Sequence, residues 1–222
     1  MIWGMENKDV LGRGSSTRRA FLSATAVTAV AVPLLSGTAL AETDPALGHQ
    51  ASDPGLRAML REIDPDRIKA TILKLVSFGT QHTASSQTDP VRGIGAATNW
   101  VFSQMQAIAA TSSGRMTVQQ QTFTQPVASN IPVPTTITNV IATLRGTASP
   151  ERFYVITGHL DSRVTDVLNF TSDAPGADDD GSGVAVVLEL ARLFATRQFP
   201  GTLVFATVAG EEQGLYLSLI HI

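Results

Sequence analysis

Phe153-Tyr154-Val155-Ile156-Thr157, the segment Val184 to Ala195, and Thr202-Leu203-Val204-Phe205-Ala206-Thr207-Val208 decide the fold. The first and third are short apolar, β-branched runs of strand length, the pattern of strands buried on both faces. The middle segment has helix composition and length, opened by Gly183 and closed by Pro200-Gly201. Strand, helix and strand in that order make a parallel crossover. The expected class is therefore α/β, with a mixed, largely parallel sheet flanked by helices on both faces.

Upstream, Ile63, Ile68, Ile72, Leu73, Leu75 and Val76 recur at helical spacing behind Pro65, which suits a first turn, and predict a helix ending near Gly79. Thr80 to Asp89 reads as a polar loop that leaves His82 on the surface. Ile94, Ala97, Trp100, Val101, Met105 and Ile108 form the apolar stripe of a second helix ending near Gly114. Met116 to Phe123 and Ile137 to Leu144 then alternate as strands around a Pro-rich connector, Pro126 to Pro134.

The first 41 residues read differently. Ser16-Thr17-Arg18-Arg19-Ala20-Phe21-Leu22 resembles a twin-arginine export signal, an Ala-rich apolar run follows to Leu35, and Ala39-Leu40-Ala41 supplies a cleavage pattern before Glu42. Residues 42–54 read as a flexible leader and 55–222 as part of a catalytic domain. The expectation is an exported, periplasmic or extracellular protein with no membrane anchor once the signal is removed.

The 222 residues include 43% hydrophobic and 16% charged, enough apolar material for one core. A formal net charge of -3 without a basic run argues against nucleic acid as a partner. With no cysteine, disulfides and thiolate metal sites are excluded.

Three strings carry the chemistry. His159 and Asp161 follow the first strand of the crossover, Asp178-Asp179-Asp180 open its helix, and Glu211-Glu212 follow its second strand. Ligands of open α/β sheets bind at the carboxyl ends of strands, where these strings converge. Taken singly, each has a plainer reading: a dipole-favoured helix start, a hydrogen-bonded histidine, a solvated turn. Jointly they form an imidazole and carboxylate set suited to divalent cations.

His159-Leu160-Asp161-Ser162, Pro175-Gly176-Ala177-Asp178-Asp179-Asp180-Gly181-Ser182-Gly183 and Gly210-Glu211-Glu212-Gln213-Gly214-Leu215 resemble the zinc-binding segments of the secreted bacterial two-zinc aminopeptidases, related to leucine aminopeptidases and glutamate carboxypeptidases. Thr138-Asn139-Val140-Ile141-Ala142 and Ser77 to Thr83 are similar to weaker segments of that family. The resemblance implies that His159 binds one zinc, Asp179 bridges two and Glu212 binds the other. It implies Glu211 as the general base, Asp161 as the acid that orients His159, and a cis bond between Asp179 and Asp180. Peptides are the implied substrates. Carboxypeptidase-like or glutaminyl-cyclase-like chemistry, and a non-catalytic binding module on the same fold, are the alternatives.

The same resemblance implies a further Asp and His C-terminal to the glutamate pair, and neither has a home in this sequence. His221 lies too close to Glu212 to be carried over. Leu219-Ile220-His221-Ile222 matches nothing in the family, so the expectation is a truncated or frame-shifted ending, a fold incomplete at its C-terminus, and a chain that binds zinc poorly and hydrolyses little.

Overall fold

A computed structural model describes residues 53–216. The signal segment, most of the leader and the ending from Leu217 lie outside the described residues. The elements, in order, are α1 (Pro54–Leu60), α2 (Pro65–Val76), α3 (Ile94–Ala110), β1 (Met116–Gln125), β2 (Thr135–Leu144), β3 (Ser149–His159), α4 (Gly181–Ala195) and β4 (Gly201–Val208).

The helices start where side chains satisfy orphan amides. Asp64 caps α2, accepting from the amides of Asp66 and Arg67, with Pro65 in the first turn. Asp180 caps α4 by accepting from the amide of Gly183. Helix α1 was not expected from the sequence. Asp53 caps it and Pro54 starts it, but it buries no residue, so it carries no apolar period to read.

The sheet runs β1-β2-β4-β3. Strands β1 and β2 pair antiparallel, as do β2 and β4, while β3 and β4 are parallel, the pairing expected across α4. Helices α2, α3 and α4 cover one face of this mixed sheet. There Leu75, Val101, Met105, Val140, Leu144, Val184, Leu188 and Phe205 form the core. Ile141, Val204, Ala206 and Val208 point to the opposite face. Full burial of a side chain such as Phe205 contributes roughly 1.5–3 kcal/mol.

Strand β4, held between two neighbours, is buried along its whole length, as its apolar run predicts. Strand β3 departs from that expectation. Phe153, Tyr154 and Val155 are 60%, 52% and 48% exposed, because β3 is the edge of the sheet among the described residues. An apolar run alone does not distinguish an edge strand from a central one.

Candidate metal centre

Strands β3 and β4 are parallel and adjacent, so both present their carboxyl ends at the same edge. His159 is the last residue of β3. Its Nδ1 lies 3.0 Å from the main-chain oxygen of Asp161, which can only accept, so that nitrogen carries the proton. The Nε2 lone pair is then aimed at carboxylates. Asp179 Oδ1 is 2.9 Å away, and Asp180 Oδ2 and Glu211 Oε2 are each 4.0 Å away. An acceptor facing acceptors requires a cation between them, either a proton or a metal.

Helix α4 brings Asp179 and Asp180 to this point through a close backbone approach. A Cβ on Gly158 would lie 2.7 Å from the main-chain carbon of Gly183, so only glycine lets the helix start sit against the end of β3. The Asp180 carboxylate then ties the two together, accepting from the amides of His159 at 2.9 Å and Gly183 at 3.0 Å. The Asp179–Asp180 peptide bond is cis. Asp178 is exposed.

Asn139 of β2 fixes the end of β4, its Oδ1 accepting from the Ala209 amide at 3.0 Å. The chain then turns at Gly210, where φ is 89°. Asp161, fully buried, lies beneath this turn. Its carboxylate accepts from the amides of Glu211 at 3.3 Å and Glu212 at 2.9 Å. Asp161 thus orients His159 through its main-chain oxygen, while its carboxylate, 3.7 Å from Nδ1, chiefly holds the glutamate turn.

Glu212 is turned aside. Its carboxylate pairs with Arg163 Nε at 2.6 Å, on the loop after β3. The structure therefore gathers His159, Asp179 and Glu211, sets Asp161 under them, and leaves Glu212 on a guanidinium. Among the described residues no three metal-ligating side chains stand at the spacing of a formed ion site. The donor types nevertheless fit a borderline divalent cation: one imidazole nitrogen with its proton parked on the far side, and several carboxylates.

The electrostatics express the same imbalance. Burial pushes the His159 imidazole down, but the neighbouring Asp161, Asp180 and Glu211 charges and the hydrogen bond to Asp161 outweigh it and leave the group above 6.5. Burial pushes the Asp161 carboxyl above its ordinary range, against the pull of the Glu212 and Glu211 amides and of His159.

Sequence reasoning missed the residues that support the cluster. His82, expected at the surface, is fully buried: Ala84 donates to its Nδ1 at 3.0 Å, and its Nε2 meets the Val167 oxygen at 2.9 Å. Both Thr83 and Gln213 are buried beside it. The Thr83–Asp161, His82–Val167 and Thr83–Gln213 contacts span 78, 85 and 130 residues of sequence, beyond any local pattern. Arg163 carries a local signal, a cation two residues after Asp161 in an acid-bearing string.

Residues 139–219 match the model of peptidase family M28. The chain is 58% identical over 170 residues to a probable zinc metalloprotease of Pyricularia oryzae, covering 77% of this chain and 34% of that protein. A probable zinc metalloprotease of Leptosphaeria maculans is 55% identical over 170 residues, covering 77% and 39%. These sequence relatives are fungal, whereas the sequence reading pointed to a bacterial group. The chain spans between about a third and two-fifths of the length of the curated relatives it matches. Among solved structures, LapB of Legionella pneumophila aligns with a TM-score of 0.51 at 24% identity, covering 76% of this chain and 40% of that one. A glutaminyl cyclase of Porphyromonas gingivalis aligns with a TM-score of 0.54 at 24% identity, covering 69% and 50%. The fold is therefore the mixed α/β fold of these proteins.

Proposed function

We propose that this chain supplies part of the catalytic centre of an exported zinc exopeptidase, an aminopeptidase that removes N-terminal residues from peptides. The observation that carries this reading is the His159 Nε2 lone pair aimed at Asp179 and Glu211 across the carboxyl ends of two parallel strands. The M28 match and the zinc metalloprotease relatives support it. His159 and Asp179 would hold zinc, with Asp179 shared between two ions, and Glu212 would join them once free of Arg163. Bound zinc supplies Lewis acidity, which polarises a peptide carbonyl and makes water a stronger nucleophile.

The chain's own residues do the rest. Glu211 stands 4.0 Å from the imidazole and partly open to solvent, and its carboxylate takes the proton of the attacking water and delivers it to the leaving amine. Asp161 holds the Glu211 amide, so the carboxylate leaves the turn in a fixed direction. Arg163, beside Glu212, balances one negative charge. A twin-arginine route is consistent with a protein exported already folded and free of cysteine. Hydrolysis is favoured over glutaminyl cyclisation because the matches at 55% identity and above carry metalloprotease names, whereas the cyclase likeness is one of fold.

In the complete protein, Glu211→Gln should retain zinc while turnover of leucine p-nitroanilide falls about 10²–10⁴-fold, the range of a lost general base. Unchanged turnover would remove Glu211 from the mechanism.

A further inference from the structure

The chemistry above leaves unused the buried polar loop around His82, although its side chains run directly to the site. His82, Thr83, Asp161 and Gln213 are each no more than 1% exposed. The His82 Nδ1 accepts the Ala84 amide, so the ring proton sits on Nε2, 2.9 Å from the Val167 oxygen. The Gln213 amide reaches the same Nε2 at 3.3 Å, and its other end meets the Thr83 hydroxyl. With the Nε2 proton given to the Val167 oxygen, a Gln213 NH₂ turned to His82 would set donor against donor, which assigns the Gln213 carbonyl to the His82 side and its NH₂ to Thr83. Thr83 Oγ1 then accepts from Gln213 and gives its single proton to Asp161 Oδ2 at 3.2 Å. The chain of contacts thus links His82 to Gln213, Gln213 to Thr83, and Thr83 to the Asp161 carboxylate.

We propose that Thr83 and Gln213 are positioning residues, whose hydrogen-bond chain from His82 sets the Asp161 carboxylate and, through it, the main chain of Glu211 and Glu212. Among the described residues Asp161 has no arginine or lysine partner, and amide and hydroxyl donors hold it. Of its Oδ2 donors one is Thr83 and the other is the Glu212 amide. Gln213 closes the circuit covalently, since it directly follows the two glutamates whose amides Asp161 grips. The Asn130 amide donates to the Gln213 main-chain oxygen at 3.2 Å and holds the far side of the turn. This inference rests on the reading of Glu211 and Glu212 as site residues.

The test is residue-resolved amide hydrogen exchange on the full 222-residue chain, without metal. In Thr83→Val, which keeps shape and loses the hydroxyl, the Glu211 and Glu212 amides should exchange about tenfold faster. Gln213→Leu should do the same, Thr83→Ser should keep the slow rates, and the core amides of Val140 and Phe205 should not change. Wild-type rates at Glu211 and Glu212 in Thr83→Val would overturn the proposal. So would acceleration shared equally by Val140 and Phe205, or a Thr83→Ser variant as fast as Thr83→Val. Because no metal or substrate enters, this result and that of Glu211→Gln stand or fall separately.

Discussion

Two buried carboxylates in this molecule are handled in opposite ways. Glu189, on α4 and 4% exposed, receives Arg192 through Nη2 at 2.6 Å and Nε at 3.0 Å, Arg67 at 3.1 Å, and the Asp64 amide at 3.1 Å. Burial alone would push its carboxyl up, but Arg192, the Asp64 amide and Arg67 together hold it below 4.5. Asp161 is buried more deeply, meets among the described residues only amides, a hydroxyl and one titratable imidazole, and is pushed by burial above its ordinary range. The Glu189 cluster ties α2 to α4 and completes its own charge balance. Around Asp161, four further acids share His159 and Arg163, an excess that destabilises an empty fold and suits one that binds a cation.

Breaking the balanced cluster should have the largest effect on stability. Glu189→Ala should cost about 2–3 kcal/mol in chemical denaturation, because it strips a buried acceptor from two guanidinium groups that remain partly solvated. A loss no larger than that of an ordinary surface substitution would erase the contrast between the two carboxylates.

A smaller, pH-dependent effect follows from the same cluster. The folded value of Glu189 lies below 4.5, so its contribution is complete above that value and drains as pH falls through the depressed one. Unfolding curves collected between neutral pH and acid should show this loss, and Glu189→Gln should flatten it. A wild-type curve no more acid-sensitive than that of the Gln variant would contradict the assignment.

The smallest expected effect sharpens the other side of the comparison. Arg163→Ala should release Glu212 and tighten divalent-cation binding about two- to fivefold by calorimetry, in keeping with the 0.2–1 kcal/mol of a partly exposed ion pair. Weaker binding would mean that the guanidinium supports the site instead of competing for it.

The frame of the molecule was legible because its signals are local. Pro65 and the stripe from Ile68 to Val76 marked α2, Gly183 and Pro200-Gly201 bounded α4, and the unbroken run from Thr202 to Val208 marked a central strand. Where the reading failed, the deciding partner was distant. Phe153 to Val155 look like a core strand until the sheet order puts them at an edge among the described residues. His82 looks like a surface residue until Val167 and Gln213 close over it. Residue types at the site were readable, and so was their shared sheet edge. That Glu212 turns to Arg163, and that Asp161 grips amides in preference to the imidazole, are facts of side-chain geometry that no spacing encodes.

The bare backbone contact between Gly158 and Gly183 determines which parts of the site are free to drift over evolution. It works as a mechanical stop: strand end and helix start are pressed together with nothing between them, and Asp180 stitches the joint. The distance from His159 to Asp179 is therefore fixed at the joint and not by the path of the intervening loop. Insertions at the exposed stretch from Thr171 to Asp173 should be tolerated, leaving that part of the rim free to diversify, whereas one added methyl group at Gly158 would prise the pair apart.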